Sequence, residues 1–310
     1  MKAVQINQYG GPEVLKINEI PKPSPGKDQV LVEVFAASIN PFDAKFKAGI
    51  MNMPIKSPIT LGGDFAGIIT VLGEGVSDFT IGEQIYGQAL SLTGASGAFA
   101  QFTTANTKNA AKKPTTADFV QAAALPLVGS SAIQALEEHI KLQSGQKILI
   151  HGGAGGIGHI AVQLAKAIGA HVATTVSAED KDFVKQLGAD EILDYKTQKF
   201  EEELRDFDAV FDMVGGETTT RSFQVLKKGG VLVSMLGIPN EELAKEHDVS
   251  IIGQNTNTNT QHLNHLAQLV DSGKIKVNVD KIFPLDQVKD AFEYQENVHS
   301  KGKVILIIKE

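Results

Sequence analysis

The spacing of apolar and polar positions divides the chain into two kinds of sequence. Over the first ~120 residues short alternating runs prevail: Val30, Val32 and Val34 recur at the two-residue spacing of a half-buried strand, as do the apolar positions of 67–72. The turn sequences PKPSPGKD, GEGVSD and IGEQ separate these runs. The stretch 119–136 is alanine-rich and helix-prone, interrupted around 126–129 (PLVG). From 147 onward predicted strands and helices alternate. A strand at 147–151 leads to a helix ending near Gly169, and strands at 171–176 and 191–194 flank a helix through Phe183 and Leu187. Further buried strands are predicted at 209–214 and 230–235, with helical sequence before the second. Such alternation requires crossovers and gives a parallel, doubly wound sheet. Near 275 the pattern becomes β-like again and ends in the apolar run 303–308, so the C-terminal segment is predicted to return to the first domain. The stretch NTNTNT at 255–260 is locally repetitive but has the polar composition of a connecting loop.

The string HGGAGGIG at 151–158 turns this pattern into a functional expectation. Gly153, Gly155 and Gly158 fill the three positions of G-x-G-x-x-G, with Gly156 and Ile157 between the last two. After them Ile157, Ile160, Ala161, Leu164, Ala165 and Ile168 recur at helical spacing. The first glycine allows a tight turn, the second lets backbone approach a pyrophosphate, and the third lets helix and strand pack closely. Free N–H groups and the helix dipole then favour an anion. Glycines also collect in ordinary turns, but here strand, glycines and helix follow in the required order, so the chain is expected to bind a dinucleotide.

Composition narrows the class. At 310 residues the chain exceeds what one hydrophobic core usually serves, so two domains are expected. A net charge of -7 argues against a nucleic-acid surface. The run 304–308 is strand-sized, no apolar segment is long enough to span a membrane, and the N-terminal MKAVQINQYGGPEVL has no signal-like apolar region. A cytoplasmic location is the expectation. With no cysteine there is no disulfide, catalytic thiol or Cys-based zinc site. His262 and His265 share a helix face but lack paired carboxylates and read as helix-surface residues, so no metal site is assigned. His151 and His159 flank the glycine loop and are expected to pack or hydrogen-bond locally.

GQKILIHGGAGGIGHIAVQLAK at 145–166 resembles throughout the cofactor-loop signature of the zinc-independent quinone oxidoreductase branch of the medium-chain dehydrogenase/reductase family. AASINPFDAKFKAG at 36–49, ALPLVGSSAIQAL at 124–136 and SKGKVIL at 300–306 are similar to other segments of that branch, so the resemblance covers nearly the whole chain. It implies an α/β fold: a GroES-like β-rich catalytic domain over 1–121 and 276–310, and a Rossmann doubly wound parallel-sheet domain over 122–275. The periodicities give the same order. The G-H-E motif of the zinc alcohol dehydrogenases corresponds here to Gly62-Gly63-Asp64, without the ligand histidine, and their cysteines are missing too. Hydride transfer from a nicotinamide to an acceptor that needs no metal remains, which a quinone or an electron-poor conjugated alkene satisfies.

An NAD site usually places Asp or Glu roughly twenty residues beyond the glycine loop. Here that position is Ser177, with Lys181 four residues later, and a hydroxyl and an ammonium suit a 2′-phosphate that a carboxylate would repel. The resemblance points the same way, since Ser177, Lys181 and Tyr195 match phosphate-binding positions of the branch. Glu179 and Asp180 count against it, and Lys181 also reads as a solvated lysine at a helix start. NADPH is the expected cofactor.

The resemblance carries further residues over. Asn40 would lie near the nicotinamide and its ribose, although by itself it reads as a turn residue before Pro41. Ser131 replaces a family threonine that contacts the nicotinamide end. Val214, Leu236 and Gly237 follow parallel strands and either line the cofactor channel or belong to the core. Lys303 stands where the family's C-terminal lysine approaches the active cleft, or is an exposed strand-start lysine. Asp43 either orients groups near the nicotinamide, caps a helix or sits on the surface. The loop 51–54 (MNMP) lacks the tyrosine of some relatives, which leaves water or the cofactor ribose as the proton source.

Three functions fit. NADPH-dependent quinone reduction comes first. Reduction of the C=C bond of an enone or 2-alkenal comes second, because Asn-Pro-Phe-Asp at 40–43 resembles enone-reductase relatives. A cofactor-bound sensor or structural protein with little turnover comes third, permitted by the missing acid. The expected partners are a small-molecule quinone or enone and, by resemblance, a second copy in a homodimer, with no nucleic acid and no membrane.

Overall fold

Val30, Val32 and Val34 lie on the strand Gln29–Ile39, which pairs with three others and is the spine of the first unit's sheet. The computed structural model describes residues 1–53, 55, 58–237 and 241–309, so Pro54 of the 51–54 loop lies outside the described residues. The first of its two units comprises Met1–Leu127, Thr258–Ser272 and the segment from Val277 onward. Across its larger sheet run Val279–Pro284, Lys303–Ile307, Gln29–Ile39, Asp64–Leu72, Gln84–Gln88 and Ala110–Lys112, with Phe102–Asn106 also paired to the spine. All of these pairs are antiparallel except that of Val279–Pro284 with Lys303–Ile307. Lys16–Glu19, Lys2–Ile6 and Ile59–Thr60 form a smaller antiparallel sheet. The core joins Val30, Val32 and Val34 to Phe65, Ile69, Phe99 and Phe292, the last two edge-to-face at 6.1 Å. Each such side chain withdrawn from water stabilises the unit by about 1.5–3 kcal/mol. The C-terminal strand does return here, pairing Val304 with Ile39 and Leu306 with Ala37.

The helix Thr260–Asp271, which the sequence division places in 122–275, has its contacts in this first unit. The Tyr86 hydroxyl donates to Leu263 O at 2.6 Å, and the Thr260 hydroxyl reaches the carbonyls of Thr107 and Ala110 at 3.0 Å each. Its His262 is buried, at 4% exposure, rather than on the helix surface as the sequence suggested. Helical spacing alone could not show which face packs on Ala110–Lys112.

The second unit comprises Val128–Asn257 and Gly273–Lys276. Its six strands are all parallel, in the spatial order Glu191–Asp194, His171–Val176, Lys147–His151, Phe207–Asp212, Leu226–Ser234, Ser250–Gly253. Numbered along the chain this is 3-2-1-4-5-6, the doubly wound order of dinucleotide-binding sheets. The helix Gly158–Ile168 buries Ile160, Val162 and Leu164 and ends at Gly169, whose φ of 95° lets its N–H close on the carbonyls of Ala165 and Lys166.

The break expected around 126–129 falls earlier. Phe119–Ala123 and Pro126–Ile133 are separate helices, because Pro126 cannot continue a helix but is suited to open one. A π-helical turn, Gln134–His139, follows. No helix among the described residues is long and apolar enough to cross a membrane.

Candidate functional site

Within the second unit the glycine loop leaves the central strand Lys147–His151 and enters the helix Gly158–Ile168. A Cβ on Gly153 would lie 2.1 Å from Thr174 Oγ1, and one on Gly158 would lie 2.1 Å from Gly152 O. Both glycines are therefore required by the fold itself. A Cβ on Gly155 meets nothing nearer than Gly152 O at 3.4 Å, so this face of the loop is open. The amides of Gly156 and Ile157, both half-buried, find no backbone acceptor among the described residues. An open backbone face beside unused donors at a helix N-terminus fits the pyrophosphate of a dinucleotide. Beneath it His151 is buried, with Nδ1 3.0 Å from Thr175 Oγ1 and Nε2 2.9 Å from Ser222 Oγ. Burial pushes its pKa down to about 4, so it is neutral at pH 7 and bonds locally. His159 Nδ1 lies 3.0 Å from Gly155 O.

Ser177, Lys181 and Tyr195 gather where His171–Val176 and Glu191–Asp194 end side by side. The Tyr195 N–H donates to Val176 O at 3.1 Å, directly before Ser177. The Ser177 hydroxyl donates to Asp180 Oδ2 at 3.0 Å, and both residues are buried. Its proton is thus committed, and the carboxylate of Asp180 is tied into its own turn. Lys181 Nζ lies 3.5 Å from Gln198 Oε1, and Tyr195 is half exposed. Lys181 and Tyr195 are consequently the groups here that can meet a phosphate, while Ser177 restrains the carboxylate that would repel it.

Val214 and Leu236 are 50% and 52% exposed, which removes the core alternative for both. They and Gly237, with φ 101°, follow the strands Phe207–Asp212 and Leu226–Ser234, on the same carboxyl edge as the glycine loop. Ser131 is buried on the helix Pro126–Ile133, its hydroxyl 2.7 Å from that of Thr256.

Within the first unit a second group assembles through strand pairing. Because Val304 lies opposite Ile39 and Ser38 opposite Asp64, Lys303, Asn40 and Asp64 meet at the ends of three neighbouring strands. All three are buried, as is Asp43. Lys303 Nζ donates to Ile39 O at 2.9 Å and to Asn40 Oδ1, and Asn40 Nδ2 donates to Asp64 Oδ2 at 2.9 Å. An ammonium only donates and this carboxylate accepts, so the Asn40 amide has one permitted orientation. Ser38 Oγ, Gln88 Nε2 and Leu127 N also converge on Asp64, each at 3.3 Å. Asp43, in the first turn of the helix Pro41–Lys47, accepts the Asn40 backbone N–H at 2.9 Å.

Burial raises the pKa of Asp64 while Lys303 and Asn40 oppose it; burial lowers that of Lys303 against the two carboxylates. Burial, with repulsion from Asp64, pushes Asp43 up to about 7. Neither Lys303 nor Asp43 is a surface residue, and Lys303 acts on Asn40 directly. Asp64 was missed as a member of this group, being noted only in the place of an absent zinc-ligand motif. The available signal was a carboxylate opening a largely apolar strand, Asp64–Leu72.

Comparison with known proteins adds to this geometry. The family described as "Alcohol dehydrogenase GroES-like domain" matches residues 26–115, and that described as "Zinc-binding dehydrogenase" matches 187–306. The chain is 35% identical to the chloroplastic NADPH-dependent alkenal/one oxidoreductase of Arabidopsis thaliana, over 99% of this chain and 79% of the relative. It is 30% identical to the quinone oxidoreductase of Rattus norvegicus, over 98% and 96% respectively. Among solved structures, the quinone oxidoreductase of Coxiella burnetii superposes with a TM-score of 0.92 at 35% identity, covering 100% of this chain and 99% of that one. The Escherichia coli quinone oxidoreductase complexed with NADPH superposes with a TM-score of 0.89 at 28% identity, over 99% and 100%.

Proposed function

The chain belongs to the zinc-independent quinone oxidoreductase branch of the medium-chain dehydrogenase/reductase family, and on that premise we propose that it is an NADPH-dependent reductase of quinones. The observation that carries the reading is the glycine cradle, with its open face at Gly155 beside the unused amides of Gly156 and Ile157. Bound NADPH supplies a hydride to the acceptor. Gly153 and Gly158 let the loop fold tightly, and the Gly156 and Ile157 amides bind the pyrophosphate. Lys181 and Tyr195 bind the 2′-phosphate, while Ser177 holds Asp180 away from it. Val214, Leu236 and Gly237 border the cofactor channel, and the Ser131 hydroxyl orients the nicotinamide end.

In the first unit Asn40 is assigned as the catalytic amide. With its oxygen held by Lys303 and one N–H by Asp64, its second N–H is a fixed donor for the oxygen on which charge develops. Asp43 positions Asn40 through the backbone. One proton from solvent completes reduction of the quinone to the hydroquinone. For the assembly we propose a homodimer, since exposed edges of such sheets often pair between subunits, and mass measurement by light scattering tests it.

The test is consumption of NADPH and NADH against a panel of quinones and enones, with product identification. NADPH-selective conversion of quinone to hydroquinone supports the reading. Conversion of enones alone, to saturated ketones, moves the protein to alkenal/enone reduction, which the 35% identity to an alkenal/one oxidoreductase favours as the second reading. Tight NADPH binding with no turnover on any acceptor overturns both.

A further inference from the structure

The polar repeat that begins at Asn255 has a structural partner in the second unit. Gln134 opens the π-helical turn Gln134–His139, in which the Ile140 N–H reaches back to Ala135 O at 2.9 Å. Such turns are rare and recur at functional sites. The Gln134 side-chain amide grips both faces of one loop: Nε2 donates to Asn255 O at 3.1 Å, and Oε1 accepts the Asn257 N–H at 2.9 Å. Between those two residues Thr256 meets the Ser131 hydroxyl, and Gln254 Nε2 donates to Ser131 O at 3.0 Å. Gln134 is 9% exposed and Gln254 4%.

Sheet order places this loop relative to a cofactor. The glycine loop follows the central strand, and the Lys181–Tyr195 edge lies over the two strands on one side of it. The other half of a dinucleotide must run the opposite way, past the ends of Phe207–Asp212, Leu226–Ser234 and Ser250–Gly253. Residues 254–257 begin at that far end, the Gln254 N–H donating to Ser234 O at 2.8 Å. Among the described residues, Gln254 Oε1 at the start of this loop is a buried polar atom with no hydrogen-bond partner, as is Ser130 Oγ on the helix Pro126–Ile133. Buried polar groups are costly when unpaired, and Gln254 Oε1, which can only accept, lacks the kind of donor that a ligand amide N–H supplies.

We propose that Gln134 is a positioning residue whose side-chain amide holds the 255–257 loop in the conformation that receives the nicotinamide half of NADPH. The inference rests on the cofactor reading above. It concerns one half of the cofactor only, and this makes it separable from that reading.

The experiment compares NADPH with 2′,5′-ADP, which lacks the nicotinamide, by calorimetric titration of wild type, Gln134→Leu, Gln134→Glu and Thr256→Val. Losing both loop bonds in Gln134→Leu should weaken NADPH roughly tenfold or more while 2′,5′-ADP is unchanged. Gln134→Glu keeps the acceptor for Asn257 and should fall between wild type and Gln134→Leu. Thr256→Val should repeat the pattern more weakly and gives a readout that does not depend on Gln134→Leu folding. Equal weakening of both ligands, or of neither, overturns the inference and leaves the cofactor reading standing. Wild-type protein that binds neither ligand overturns both.

Discussion

The ammonium of Lys303 donates to the side-chain oxygen of Asn40 across 263 residues of sequence. The pairing of Lys303–Ile307 with Gln29–Ile39 creates this contact and buries the lysine. A residue that tethers Asn40 in one orientation need not touch cofactor or substrate to affect the reaction.

Lys303→Met should therefore damage folding before anything else. It leaves Ile39 O and Asn40 Oδ1 without their buried donor, about 1–3 kcal/mol for each group left unsatisfied, and removes the charge that opposes the effect of burial on Asp64. Urea denaturation should show this, and adding Asp64→Asn should restore part of it, because the two residues belong to one network. A Lys303→Met protein as stable as wild type would show that the buried lysine does not hold this network together.

The raised pKa of Asp43 gives a pH dependence with a definite sign. The folded chain holds the Asp43 proton up to about pH 7, whereas an unfolded chain releases it near 3.8. The stability that this proton contributes is complete below pH 3.8 and is lost as pH rises to about 7. Asp43→Asn keeps an acceptor for the Asn40 N–H but cannot titrate. The stability of wild type minus that of Asp43→Asn should fall between pH 4 and about 7 and level off above. A difference that stays flat over that range rules out this titration.

Five of the six parallel strands were legible in sequence as short β-prone runs alternating with turns and helical sequence, and the glycine loop because backbone clearance dictates its residues. The sixth strand, Ser250–Gly253, has only two apolar residues and was not predicted. Gly153 and Gly158 are recognisable because nothing larger fits. The Asn40–Asp64–Lys303 group was not legible as a unit. Strand register unites it, and Lys303 at the start of an apolar strand has the same sequence signature whether buried or exposed. The role of Ser177 was half legible: its position marks the second turn, but its hydroxyl turns to Asp180, a choice of rotamer that sequence does not encode. The π turn at Gln134 left no periodic signal, since its six residues are too few to set one.

Lys181→Ala should separate the two cofactors. A charge-assisted contact contributes about 1.5–3 kcal/mol, so affinity for 2′,5′-ADP should fall roughly 10- to 100-fold. Affinity for 5′-ADP, which has no 2′-phosphate, should not change. If both ligands weaken alike, Lys181 is a general electrostatic or structural residue.

Gly155→Ala and Gly158→Ala differ by one methyl group placed in different surroundings, and they should fail in different ways. At Gly158 the new Cβ would sit 2.1 Å from Gly152 O and 2.8 Å from Gly153 Cα, so the helix must move off the loop. Thermal unfolding should report that loss with no cofactor present. At Gly155 the nearest atom is 3.4 Å away, and an ordinary backbone conformation accepts alanine. The apo protein should unfold within about 1 kcal/mol of wild type, the range of a tolerated surface change or slightly beyond it. The methyl would then occupy the face that the pyrophosphate needs, so NADPH affinity should drop sharply in a protein whose fold is intact. Retained affinity in Gly155→Ala would mean that the open face is not where the cofactor lies, and the assignment of the glycine loop would fall with it.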